Sequence, residues 1–245
     1  MDIHEPYPAI QVTRGSPTAI EDEICIEDTF RLKLNGTHLA QIIASPAQLR
    51  ELGVGFVICE GLARTVSDVR VSGNDIEVSA PVDAQIDYEL RSSGCIGVRG
   101  IPPRVESDLV IDPTEVSFVI QQTVSEVWQK TGGAHCSALV RDREVLVVSS
   151  DLGRHSTIDK IVGHAVLSGI DLNQCVIGCT GRQPAGMIAK VANAGVPIII
   201  SKAAATTSGI LLAEACGITL ICFARGDRFT VYSHPERVRG IPATL

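Results

Sequence analysis

The sequence predicts an α/β protein whose second half is a layered domain of alternating strands and helices, preceded by a smaller α+β domain. Three observations lead there. Beyond residue 150, segments of helical period alternate with short β-branched runs such as Val196-Pro197-Ile198-Ile199-Ile200, and such unbroken apolar runs suit strands covered on both faces. Before residue 80 the pattern is one of short alternating segments around a single helix. Between them, Ser92 to Pro103 is rich in Ser, Gly and Pro and has no period, which marks a connector. The domains are therefore placed at residues 1–110 and 111–245.

In the first half, Phe30, Leu32 and Leu34 alternate ahead of Asn35-Gly36, with Leu39 and Ile42 after it. Asn-Gly suits the positive φ angles of a tight turn, so a β-hairpin is expected. Ser45-Pro46 then predicts a helix running to about Gly61, with Ser as N-cap and Pro at the first helical position. Short strands follow near 66–71, 75–79 and 86–90. The second half opens with a helix from Asp112-Pro113 to Gly132-Gly133, its face formed by Val116, Val119, Ile120, Val124, Val127 and Trp128. Residues 135–150 read as a hairpin about Arg141-Asp142-Arg143. A helix at 156–168 carries Ile158, Ile161, Val162, Ala165 and Val166 at helical spacing. Strands at 174–179, 196–201 and 218–223 then alternate with helices at 183–194 and 207–216.

The chain has 245 residues, 45% of them hydrophobic and 20% charged, with a formal net charge of −7. Disordered and collagen-like classes are excluded. Aromatic residues are only 4%, which argues against modules that stack single-stranded nucleic acid on aromatic rows. No apolar run is long enough for a membrane span, and the acidic start Met1-Asp2-Ile3-His4-Glu5 lacks the features of a signal peptide. A soluble, cytoplasmic protein is expected, binding neither membrane nor nucleic acid. Of the eight cysteines, Cys59, Cys175, Cys179, Cys216 and Cys222 lie inside apolar runs and read as core thiols.

In open α/β sheets, ligands gather beyond the carboxyl ends of the strands, beside helix N-termini that favour anions. Here those ends run into Thr180-Gly181-Arg182, into Lys202, and into Ala224-Arg225-Gly226-Asp227-Arg228, with Arg154 at the start of the 156–168 helix. Five cations are thus expected on one edge of an acidic chain. A phosphate-bearing ligand explains them; ordinary polar loops do so as well. Neither a Walker loop nor G-x-G-x-x-G after a strand is present, so ATP and NAD are not indicated. Cys95 stands in a glycine-rich segment near Arg99, a setting that favours the thiolate, although a chance loop cysteine fits equally. Cys175 and Cys179 share a strand face, as core residues do. His135, His155 and His164 form no compact group with cysteines, so no metal is expected.

Several segments together resemble the FdhD family of formate dehydrogenase accessory sulfurtransferases: Glu51 to Gly61, Thr131-Gly132-Gly133-Ala134-His135, and Asp151-Leu152-Gly153-Arg154-His155 with Asp159-Lys160. Gly181-Arg182 and the stretch from Phe223 to Val238 complete the pattern, which runs from about Cys25 to Val238. The resemblance implies a carrier that takes sulfur from a cysteine desulfurase as a persulfide. It would pass that sulfur to the molybdenum cofactor, in its bis-guanine dinucleotide form, before the cofactor enters the formate dehydrogenase catalytic subunit. Cys95 matches the first cysteine of the family's C-x-x-C loop, and Val98 stands in the place of the second. Phe223, Ala224, Arg225, Gly226, Asp227 and Arg228 match the cofactor-binding segment, with Gly181, Arg182, Lys202, Arg154 and His155 expected beside it. The resemblance also implies a homodimer and a second domain similar to cytidine deaminases. Deamination itself is not expected: Thr157 stands where the catalytic glutamate belongs, and Gly181 to Ala185 lacks both zinc-binding cysteines. A delivery-only chaperone is the alternative, because the second loop cysteine is missing.

Overall fold

The computed structural model describes residues 3–82, 88–91, 95–98 and 102–242, of which 88–91 and 95–98 are described in backbone only. The chain opens with a feature the sequence reading did not find. Strands β1 (His4–Thr13) and β2 (Ser16–Cys25) form a ten-residue antiparallel ribbon, closed by Arg14 and Gly15, both at positive φ. It hides little apolar surface, since Tyr7, Ile10 and Val12 are all exposed. Neither face therefore shows the inward period that would reveal a core strand.

The first layer follows. Strands β3 (Asp28–Leu34) and β4 (Thr37–Ala44) pair about Asn35-Gly36 as expected, and helix α1 (Leu49–Cys59) precedes β5 (Asp68–Ser72) and β6 (Asp75–Ser79). The sheet order is β4-β3-β6-β5, with β3 and β6 parallel. Leu52 and Phe56 of α1 pack on Phe30, Leu32, Ile76 and Val78. The helix starts at Leu49, later than the Ser45-Pro46 signal suggests, because Ser45 is committed elsewhere. Its N–H donates to Asp151 Oδ2 at 3.1 Å and its carbonyl accepts from Lys160 Nζ at 3.2 Å.

Strands β7 (Tyr88–Arg91) and β8 (Cys95–Val98) form an antiparallel pair with Arg91 opposite Cys95. The connector expected at 92–103 thus contains a strand that begins at Cys95. Residues 92–94 between the two strands, residues 99–101 after them, and the Cys95 side chain lie outside the described residues.

Helices α2 (Pro113–Gln121) and α3 (Glu126–Thr131) replace the single helix expected there. Thr123 Oγ1 donates to the Ile120 carbonyl at 2.8 Å, and Ser125 caps a new helix by accepting from Trp128 N at 3.3 Å. The break turns Val124 and Trp128, expected on the packed face, outward to 53% and 56% exposure.

The remaining elements are β9 (His135–Arg141), β10 (Glu144–Asp151), α4 (Arg154–Leu167), β11 (Val176–Cys179), α5 (Ala185–Ala194), β12 (Ile198–Ser201), α6 (Thr207–Cys216), β13 (Thr219–Arg225) and β14 (Arg228–Ser233). They build a six-stranded sheet of order β10-β9-β11-β12-β13-β14, parallel only across β11, β12 and β13. One face is covered by α4, α5 and α6 through Ile158, Ile161, Met187, Val191 and Ala213. The other is covered by α2 through Val116, Val119 and Ile120. The protein is thus a mixed α/β structure of several sheets, and the five predicted core thiols are all buried.

Helices α1 and α4 join the two layers at a seam that only glycine permits. A Cβ on Gly55 would fall on the Asp159 carbonyl, and one on Gly163 on the Glu51 carbonyl. Along this seam Lys160 pairs with Asp151 at 2.6 Å, and Lys190 pairs with Asp159 and Glu60 at 2.8 Å each. All five side chains are at most 5% exposed. No helix among the described residues is long and apolar enough to cross a membrane.

Candidate functional site

The three parallel strands end on one edge, at Cys179, Ser201 and Arg225, and β9 begins beside them because it runs antiparallel to β11. Topology therefore adds His135 and Cys136 to the cations that the sequence places there. Thr180 fastens the corner. Its N–H donates to the Cys136 carbonyl at 3.0 Å, and its hydroxyl accepts from Cys136 N at 3.1 Å and lies 3.0 Å from His135 Nδ1.

Arg154 and Arg182 approach the same corner. The stem of Arg154 lies over Gly181, where a Cβ would come within 2.8 Å of it, so glycine is needed for this close approach. The Gly181 carbonyl turns inward and accepts from Ser201 Oγ at 2.6 Å and Gln183 Nε2 at 2.7 Å. Burial holds the half-buried His135 imidazole below its ordinary range, the two guanidiniums add to that, and Asp151 opposes them. Burial pushes the Cys136 thiol up, against a hydrogen bond to Ser150 and the nearby Lys202 ammonium. Lys202 is itself held below the usual lysine range by burial.

The predicted C-terminal segment borders this corner. Phe223, at φ 52° and partly exposed, donates its N–H to the Ala203 carbonyl at 3.1 Å, which ties β13 to the residue after Lys202. Arg225 and Arg228 face each other in register across the Gly226-Asp227 turn, and the Gly226 carbonyl accepts from Ser117 Oγ at 2.7 Å. Both arginines are exposed. Neither they nor Arg182 and Lys202 form ion pairs among the described residues. Ala224 departs from expectation: its methyl is buried in the core beneath the sheet, so only its backbone remains available. His155 sits half-buried in the first turn of α4.

The corner is built for anions. It combines Arg182, Lys202, Arg225 and Arg228, none of them in an ion pair among the described residues, with Arg154, the N-termini of α4, α5 and α6, and hydroxyls at the strand ends. It is not built for proton shuttling at Thr157, whose hydroxyl donates to the Arg154 carbonyl at 2.8 Å and lies 2.7 Å from Ser137 Oγ. His135 and Cys136 were missed as site residues from sequence, whereas Thr180 stood at an expected strand end. The available signal was pairing: a hairpin whose first strand lies antiparallel against the first parallel strand must bring its start to that strand's end.

A family model described as FdhD/NarQ matches residues 25–239. The sulfur carrier protein FdhD of Methanothermobacter thermautotrophicus is 36% identical over 232 residues, covering 89% of this chain and 92% of that protein. Its Bacillus subtilis namesake is 31% identical over 246 residues, covering 92% and 94%. A crystal structure from Desulfotalea psychrophila, assigned as a formate dehydrogenase accessory protein, superimposes with a TM-score of 0.83 at 23% identity, over 97% of this chain and 100% of that one.

Proposed function

The chain belongs to the FdhD/NarQ family, and on that premise we propose that it is a sulfur carrier in formate dehydrogenase maturation. In this reading it accepts sulfur on Cys95 from a cysteine desulfurase and passes it to a molybdenum cofactor carrying two guanine dinucleotides. It works as a homodimer in the cytoplasm and hands the cofactor to the formate dehydrogenase catalytic subunit. The single observation that supports it most is the gathering of Arg154, Arg182 and Lys202 about Gly181 and Thr180, with Arg225 and Arg228 two strands away. Two pyrophosphates need that many donors. The sheet order and the helices on both of its faces support a deaminase-like second domain at 111–245, following the smaller domain at 1–110.

The transfer onto Cys95 is a thiol–persulfide exchange. The Cys95 thiolate attacks the terminal sulfur of the donor persulfide, a new S–S bond forms, and the donor cysteine leaves as its thiolate. No oxidant is consumed. Releasing that sulfur as sulfide takes two electrons. With Val98 in the second position, a thiol from outside the hairpin must attack the Cys95 sulfur, leaving a mixed disulfide and freeing hydrosulfide for the metal centre.

The test is intact-mass spectrometry after incubation with a cysteine desulfurase and cysteine. Wild type gains the mass of one sulfur atom and Cys95→Ala does not. Should Cys95→Ala still gain sulfur while Cys136→Ala does not, the carrier thiol is Cys136. Should neither wild type nor variants gain it, the chain only delivers cofactor, the second reading that Val98 favours.

A further inference from the structure

At the amino ends of the parallel strands, across the sheet from the cationic corner, lies a cavity of about 660 Å³. This volume falls within the range of about 300–1,000 Å³ typical of small-molecule sites. One wall is the end of α1 and the turn beyond it, with Cys59, Glu60 and Arg64. A second is the last turn of α5, and a third is the strap Pro102–Glu106, which begins four residues after β8. The strap is anchored: Val105 is buried and its N–H donates to the Cys216 carbonyl at 2.7 Å.

The polar groups of the cavity separate into those already committed and those still available. Lys190 gives its charge to Asp159 and Glu60. Asn193 donates to the Cys59 carbonyl and Asn173 to the Glu106 carbonyl, each at 2.8 Å. At the mouth stand Arg64 and Arg104, both exposed and neither in an ion pair among the described residues. Arg104 places one nitrogen 3.4 Å from the Ala215 carbonyl at the end of α6, so a helix-capping role takes up one of its five donors and none of those of Arg64. Of the lining carboxylates, Glu60 is held by Lys190, and Glu106 forms no ion pair with either guanidinium among the described residues.

We propose that this cavity is a second binding site, separate from the strand-end corner, for an anionic small molecule whose carboxylate or phosphate is held by Arg64 and Arg104 at the mouth. A guanidinium fork matches both acid groups. The proposal stands whether or not the chain carries sulfur.

Calorimetric titration of the full chain with inorganic phosphate, and separately with succinate, in chloride buffer tests it. At least one probe should bind saturably, and the one that binds names the acid group. Arg64→Ala with Arg104→Ala should weaken that binding about ten-fold or more, and should do so equally in an Arg225→Ala, Arg228→Ala background, where binding at the strand-end corner is already removed. Thermal melts of both double variants check that the exposed substitutions spare the fold. If neither probe binds wild type, or if the cavity pair does not weaken binding in that background, the proposal is overturned.

Discussion

Helix α4 uses charge in opposite ways along its length. In its first turn Arg154 lies at the strand-end corner, where the neighbouring Arg182 and Lys202 form no ion pair among the described residues. One turn further on, Asp159 and Lys160 are buried in the seam with α1 and each meets an opposite charge within 2.8 Å. Burying charge is expensive, and burying it unpaired far more so. The seam pairs therefore fix how the two layers meet, through Ser45 on one side and Asp151 on the other. At the corner Arg182, Lys202, Arg225 and Arg228 form no ion pair among the described residues, which leaves them open to an anionic ligand.

Breaking the seam gives the largest expected effect. Lys160→Met leaves the fully buried Asp151 carboxylate without its cation and should cost about 3–5 kcal/mol of unfolding free energy, measured in urea. Asp151→Leu combined with Lys160→Met should recover part of that loss, because the pair's own net worth is small. A loss below about 1 kcal/mol for Lys160→Met would show that the seam tolerates an orphan charge, and the contrast with the corner would fail.

Breaking the corner should move affinity and leave stability alone. Arg225→Ala and Arg228→Ala remove exposed cations, so the melting temperature should hold. Affinity for guanosine diphosphate should fall by roughly 1.5–3 kcal/mol per lost phosphate contact, about ten- to 150-fold. Calorimetry reads this directly, and unchanged binding in the double variant would move the nucleotide away from this edge.

Much of this contrast was legible before any coordinates. The alternation after residue 150 gave the parallel strands and their ends, and so the five cations on one edge. What stayed hidden depends on contacts distant in sequence. The Ser45-Pro46 signal is a sound local helix start, yet Asp151 and Lys160 draw Ser45 away. Val124 and Trp128 fit a helical stripe, but two hydroxyls, on Thr123 and Ser125, end one helix and begin another. The β1–β2 ribbon carries a Gly turn but no buried face, so the pattern that marks core strands is missing. His135 joins the site only through the antiparallel pairing of β9 and β11.

The smallest expected effect follows from that histidine and sharpens the comparison at one atom. Burial, then Arg154 and Arg182, hold the folded His135 below its ordinary value of 6.5. For a base depressed in this way the unfolded chain binds more protons, so its share of stability is present above the unfolded pKa and is lost as pH falls below it. A phosphate bound at the corner adds negative charge and reverses the bias, drawing the proton back onto the ring. Affinity for guanosine diphosphate should therefore rise, by less than about ten-fold, as pH drops from about 8 to about 6. Binding near the lower value should take up protons, visible as a dependence of the calorimetric heat on the buffer's ionisation enthalpy. His135→Gln should flatten the pH profile while leaving the affinity near pH 8 within a few-fold of wild type. If the wild-type profile is already flat, the phosphates lie beyond the reach of His135, and the Arg225–Arg228 turn, three strands away, holds them alone.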